Sequence, residues 1–207
     1  MLFPRSGGGP GVPAYVKNRY FHWSMTRIIL LNGVGSAGKS SIARALQDIT
    51  AVPYLHVPMD SFLDMLPARY WENHPDGFSF TPVEGHGGIA LQINTGEIAA
   101  KALRGMRRAV VALAAQDNNL IVDDVMLGDT WPDYQALLAP FDVSLVGVFA
   151  PLAVLEVRER QRGDRMIGLA RWQYDLVHQG MVYDLEIDTS TATPEACALK
   201  IKQAFDL

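Results

Sequence analysis

Gly33-Val34-Gly35-Ser36-Ala37-Gly38-Lys39-Ser40 has the spacing G-x-x-x-x-G-K-S, and each of its conserved-type positions has a use in holding a polyphosphate. The glycines let backbone N–H groups curl around phosphate oxygens, and the positive end of a following helix adds to the field. Lys39 reaches β- and γ-oxygens, and the Ser40 hydroxyl is a hard oxygen ligand suited to Mg2+. With Ser41, which continues into the helix, the run from Gly33 to Ser41 is the expected nucleotide-binding segment. A metal held this way needs a second anchor at the end of a neighbouring buried strand. Asn119-Leu120-Ile121-Val122-Asp123-Asp124 supplies two carboxylates there. Successive strand residues face opposite ways, so only one faces the phosphates. Asp123, directly after the apolar run, is the expected metal ligand together with Ser40, and Asp124 lies near the acceptor or is structural.

Transfer of a phosphoryl group needs more than a cradle. It needs a base for the accepting hydroxyl, a pocket for the acceptor, and cations for the charge on the moving group. Asp60 follows the second strand at the end where open α/β sheets place ligands, and it reads either as that base or as a helix cap before Ser61-Phe62-Leu63. Residues 62–86 carry Phe62, Tyr70, Trp71, Phe78 and Phe80 among prolines and glycines, which reads either as a mobile wall for an aromatic acceptor or as core packing. Arg158-Glu159-Arg160-Gln161-Arg162-Gly163-Asp164-Arg165 sets Arg158, Arg162 and Arg165 on one helix face if the helix continues through Gly163. Four arginines in eight residues read either as a solvated face or as a lid, around 158–168, whose guanidinium forks clamp phosphate. His178 and Trp172 follow on the next helix and either touch a ligand or fill core and surface positions. Asp188-Thr189-Ser190, after the last strand, is the expected base-binding loop by analogy.

The elements that must position these groups are legible as an alternation. Ile28–Leu31 is a continuous apolar run, as in a strand buried on both faces. Ser40–Ile49 places Ile42, Ala45, Leu46 and Ile49 on one helical stripe. A strand at Tyr54–Met59, a helix over about 97–115, buried strands at Leu120–Val122 and Val143–Phe149, helices over about 152–161 and 168–179, a strand at Val182–Ile187 and a last helix from Pro194 complete the pattern. Strands separated by helices imply βαβ units. The expected fold is α/β, three layers, with a five-stranded parallel sheet between helices.

The remaining composition sets limits. The 207 residues suffice for one domain. The longest uncharged stretch, Val143–Leu155, is 13 residues and contains Pro151, short of a spanning helix. Residues 1–25 hold Arg5, Lys17 and Arg19 and no acid, so residues 26–207 carry 15 basic and 22 acidic side chains and a charge of -7. That balance argues against broad nucleic-acid or membrane binding. One cysteine, Cys197, and five scattered histidines exclude a multi-cysteine zinc site and suit a reducing cytoplasm. The glycine- and proline-rich residues 1–24 read as an extension, with the working domain over 26–207.

A GTPase reading finds no Asn-Lys-x-Asp and no Asp-x-x-Gly. The combination of Ser-Ala-Gly-Lys-Ser, Asp60-Ser61, Val122-Asp123-Asp124-Val125 with Leu127-Gly128, Arg162-Gly163-Asp164-Arg165 and Tyr183-Asp184 leading to Asp188-Thr189 resembles the chloramphenicol phosphotransferase family, in order over about residues 26–195. The resemblance implies a P-loop kinase-like fold and ATP- and Mg2+-dependent phosphorylation of a small-molecule hydroxyl, chloramphenicol in the family, as an antibiotic-inactivating reaction. It implies Asp60 as catalytic base, Arg162 and Arg165 as lid arginines, and Lys39 as phosphate ligand. The stretch 64–96 resembles the family only weakly. Rival readings are a kinase of another alcohol, sugar or nucleoside, and a nucleotide-binding regulator without acceptor.

Overall fold

In the computed structural model, residues 26–85, 87–163 and 166–207 are described. The expectations on residues 1–24 and on Asp164 and Arg165 lie outside them. The first strand, β1 (Arg27–Asn32), runs through the glycine loop into α1 (Lys39–Ile49). Next come β2 (Tyr54–Pro58), a short α2 (Met59–Leu63), a hairpin of β3 (Phe78–Gly85) and β4 (Gly88–Thr95), α3 (Glu97–Ala114) and β5 (Asn119–Asp124). The chain continues through α4 (Thr130–Leu138), β6 (Asp142–Phe149), α5 (Leu152–Arg162), α6 (Leu169–Tyr174), β7 (Leu185–Asp188) and α7 (Pro194–Phe205).

Five strands form a sheet in the order β2-β5-β1-β6-β7, parallel throughout. Strand alternation sorts the side chains into two cores. Ile29, Leu31, Ile121, Val146 and Val148 pack with Ile42 and Leu46 of α1 and Ile201 of α7. Ile28, Leu30, Leu120, Val122 and Leu145 face the other way, onto Met106 and Val110 of α3 and Tyr134 of α4. Nearly all are below 3% exposed, and full burial of each aliphatic side chain contributes about 1.5–3 kcal/mol. The strand runs looked continuous in sequence because both faces are covered.

Four expectations change. The helix bearing the arginines does not continue through Gly163: α5 ends at Arg162, and Gly163 turns left-handed at φ 69 as its C-cap. The second helix spans only Leu169–Tyr174, and the last strand is Leu185–Asp188. The stretch 78–95 is an antiparallel hairpin, with Phe80 opposite Ile93 and Val83 opposite Ala90. Pro82 and the glycines near the tip mask its alternation. Within it Phe78 is 2% exposed and packs with Leu63 and Ala99, while Trp71 and Phe80 cover that small cluster. Trp71 lies against Phe78 at 4.6 Å between centroids. Phe62 packs on the α3 side of the sheet. Core packing therefore takes Phe62, Trp71, Phe78 and Phe80, whereas Tyr70 lies edge-on to His74 and under Arg69, and none of the five is among the described residues lining the cleft below.

Candidate active site

The C-terminal ends of β1, β2 and β5 open into one cleft of about 430 Å3. The loop between β1 and α1 forms its floor. Gly33 must be glycine, because a Cβ there would stand 2.4 Å from the Val148 carbonyl oxygen of β6. Gly38 caps α1 from the left-handed region at φ 95. Ser36 is also left-handed, at φ 66, and its buried Oγ has no hydrogen-bond partner. An orphaned hydroxyl in a backbone cradle suits an oxyanion acceptor.

Lys39 is 6% exposed, with Nζ donating to the carbonyls of Gly33 at 2.9 Å and Val34 at 3.1 Å and lying 3.8 Å from Asp123 Oδ1. Ser40 donates its hydroxyl to Asp123 Oδ2 at 2.5 Å. Strand alternation accounts for the choice between the two aspartates. Asp123 follows Ile121 on the α1 face, whereas Asp124 points to the α3 and α4 face. There its oxygens accept from Val125 N at 2.7 Å and the Tyr134 hydroxyl at 2.9 Å. Burial pushes the Asp124 carboxyl above the usual range. Burial works the same way on Asp123, but the nearby His56 imidazole, the Lys39 charge and the Ser40 hydroxyl outweigh it and hold that carboxyl low. Asp123 is thus the carboxylate kept ionised at the cradle.

The Ser40 hydroxyl and the Asp123 carboxylate offer two hard oxygen donors side by side, which fits Mg2+ held with substrate phosphates rather than an all-protein cage. In keeping with that, the described residues contain no cluster of three or more His, Cys, Asp or Glu able to hold an ion alone.

Asp60 also lines the cleft, in the first turn of α2. The cap position belongs to Pro58 and no side-chain cap bond forms, so Asp60 is not serving as the helix cap. Arg158 and Arg162, one turn apart on α5, line the opposite wall with Gln161. Arg158 is tied down, donating to Thr189 Oγ1 at 2.9 Å and to its carbonyl at 2.6 Å. The Thr189 hydroxyl in turn donates to Ala37 O at 2.9 Å, joining the loop after β7 to the phosphate loop. Ala192, Pro194 and Cys197 line the cleft beyond it. Sequence reasoning therefore placed Asp60, Lys39, Ser40, Asp123 and Arg162 in one cleft, and Arg158 beside them.

His178 and Trp172 are not in this lining. The His178 ring stacks on Phe149 at 3.9 Å with Nδ1 2.6 Å from the Tyr183 hydroxyl, and burial helped by Lys39 pulls its pKa down to about 4.

Two supporting residues carried no sequence signal. Gln173, 8% exposed on α6, accepts the Gly35 amide at 2.8 Å and so holds the phosphate loop from outside. Glu159, 2% exposed on α5, accepts from the amides of Gly168 and Ala170, both at 2.8 Å, and fixes the start of α6. The Gly168 carbonyl accepts Leu91 N of β4 at 3.0 Å, which docks the hairpin on the same point. Replacing Glu159 by Gln turns an acceptor into a donor facing an amide. Its cost should be about 1–3 kcal/mol, measured as a shift of the urea midpoint at unchanged slope.

The same fold occurs in solved structures. A sugar kinase from Janibacter sp. HTCC2649 superposes with a TM-score of 0.60 at 20% identity, covering 87% of this chain and 95% of that one. The Deinococcus radiodurans tunicamycin resistance protein gives 0.60 at 18%, over 88% and 96%. Shikimate kinase from Acinetobacter baumannii gives 0.53 at 13%, over 88% and 93%. Strand order, phosphate loop and cleft together define a P-loop protein of the kinase type. Within that class, residues 26–206 match the family described as chloramphenicol phosphotransferase-like protein, and the chain belongs to that family. A Mycobacterium tuberculosis protein to which O-phosphotransferase activity is ascribed, found in two strains, is 34% identical over 173 residues, 81% of this chain and 76% of that protein. The chain is accordingly a kinase-type O-phosphotransferase.

Proposed function

We propose that the protein transfers the γ-phosphoryl group of ATP to a hydroxyl of a small molecule, with chloramphenicol as the first acceptor to test. The observation that carries this reading is the convergence of Asp60, Lys39, the Ser40–Asp123 pair and Arg162 on one cleft. Family membership supports the acceptor class, and no helix among the described residues is long and apolar enough to cross a membrane.

In this reading the amides of the Gly33–Gly38 loop bind the β-phosphate and the triphosphate runs toward α2. The base lies at the Arg158, Thr189 and Pro194 end. Ser40 and Asp123 would hold Mg2+, which when bound would offset negative charge on the phosphates. Lys39 exchanges its loop carbonyls for phosphate oxygens. Asp60 accepts the proton of the attacking hydroxyl as the O–P bond to the acceptor forms and the bond to ADP breaks. Arg162, on the last turn of α5 before the left-handed Gly163, neutralises the equatorial oxygens, with the segment around 158–168 closing as a lid that excludes water. Arg165 belongs to that lid.

ADP release measured with Mg·ATP and a panel of hydroxyl compounds, chloramphenicol first, tests this. Stimulation together with a product heavier by one HPO3 supports the reading and names the acceptor. Acceptor-independent ADP release across the whole panel overturns it in favour of a regulator.

A further inference from the structure

A buried polar atom without a partner is costly, so each one calls for a reason. Ser36 Oγ belongs to the phosphate cradle; the other such atom among the described residues is His56 Nε2. His56 stands in the middle of β2, opposite Ile121 of β5, and two residues farther along Pro58 stands opposite Asp123. Alternation puts Tyr54, His56 and Pro58 on one face of the sheet, and Tyr54 lies in the α1-side core with Ile121. The imidazole is therefore on the side of Asp123. Its Nε2 is 3.6 Å from Asp123 Oδ2, with the two side chains 12% and 8% exposed.

If packing alone decided this position, an aliphatic side chain would fill it without orphaning a nitrogen. The imidazole instead aims at the one oxygen that already accepts the Ser40 hydroxyl at 2.5 Å. A carboxylate that must meet a cation in one orientation needs donors that stop it rotating, and such outer partners typically change metal affinity 10–100-fold. We propose that His56 is a positioning residue whose Nε2–H donates to Asp123 Oδ2 and, with Ser40, orients that carboxylate for the divalent cation of the bound nucleotide. A sub-ångström approach of the ring converts the present 3.6 Å separation into a hydrogen bond. The same strand then serves both ends of the reaction, since β2 carries His56 and leads directly into Asp60.

The inference rests on Asp123 as a cation anchor, and calorimetric titration of ADP separates the two claims. ADP is titrated into the full chain in EDTA and at graded MgCl2, for wild type and for His56→Leu, His56→Gln and Asp123→Asn. His56→Leu keeps the volume and removes the orphan, so it should unfold at the wild-type temperature or above and bind ADP normally in EDTA. It should nevertheless need about 10–100-fold more Mg2+ to tighten ADP. His56→Gln, which can place an amide N–H near the position of Nε2, should recover most of that affinity. A leucine variant with wild-type Mg2+ dependence overturns the role of His56 while a defective Asp123→Asn leaves the anchor standing. An Asp123→Asn variant with wild-type Mg2+ dependence overturns the anchor and the inference with it. Equal loss of ADP binding in EDTA by the leucine and glutamine variants would show a merely structural histidine and also overturn the proposal.

Discussion

Asp60→Asn should slow phosphoryl transfer by about 10²–10⁴-fold, the usual size of a general-base contribution. The substitution keeps shape and nearly all hydrogen-bonding reach and removes the proton-accepting charge. Asp60 is not the cap of α2. It lines the cleft beside Met59 and Pro58, after the edge strand β2, and the proposed nucleobase site is built from other residues, Arg158, Thr189 and Pro194. Nucleotide affinity should therefore stay near the wild-type value, and the loss should fall on kcat rather than on KM for ATP. Single-turnover transfer together with ADP titration checks both halves. Wild-type turnover by the asparagine variant would remove Asp60 from the mechanism.

Arg162→Ala should cost about 10³-fold or more in kcat, the scale on which arginines that neutralise a transferring phosphoryl act. Arg158 and Arg162 both line the cleft, but they stand at different places on α5. Arg158 is committed to Thr189 through two hydrogen bonds, so its loss should loosen the base end of the cleft and raise KM for nucleotide. Arg162 is the last residue of α5, directly before a left-handed glycine at φ 69, where a small backbone rotation swings the guanidinium. Its loss should leave nucleotide affinity largely intact. Arg162→Lys separates charge from geometry: retention of charge without the planar fork should recover only part of the rate. The comparison to make is kcat for the alanine and lysine variants against KM for ATP in Arg158→Ala. An alanine variant at Arg162 with unchanged kcat would move the phosphoryl-stabilising role elsewhere.

Much of this cleft was legible before any coordinates. The loop from Gly33 to Ser41 declared itself because its chemistry is written in consecutive residues: glycines where the backbone turns, a lysine and a serine at the helix start. Strand alternation said that only one of Asp123 and Asp124 faces the phosphate loop, the place after the apolar run favoured Asp123, and the structure sets Ser40 against the first and Tyr134 against the second. For Asp60, only the observation that Pro58 caps α2 removed the helix-cap reading. The rings of residues 62–80 were equally compatible with a ligand wall and with a core. Pairing across the hairpin and packing on α3 decided for the core in every case but Tyr70, an outcome set by contacts between segments far apart in the chain.

Gln173, Glu159 and His56 were silent for the same reason. Each acts through partners between 9 and 138 positions away or through an uncompleted approach to Asp123, and no local period marks such a residue. The sequence by itself determined the alternating strands and helices, the phosphate loop and the set of residue types able to move a phosphoryl group, since these depend on neighbours a few residues apart. Only the tertiary structure decided where α5 stops, which arginine is tied to Thr189, and which buried side chains lie against the phosphate loop and Asp123. Those outcomes depend on what the parallel sheet brings within hydrogen-bonding distance, and distance along the chain does not encode that.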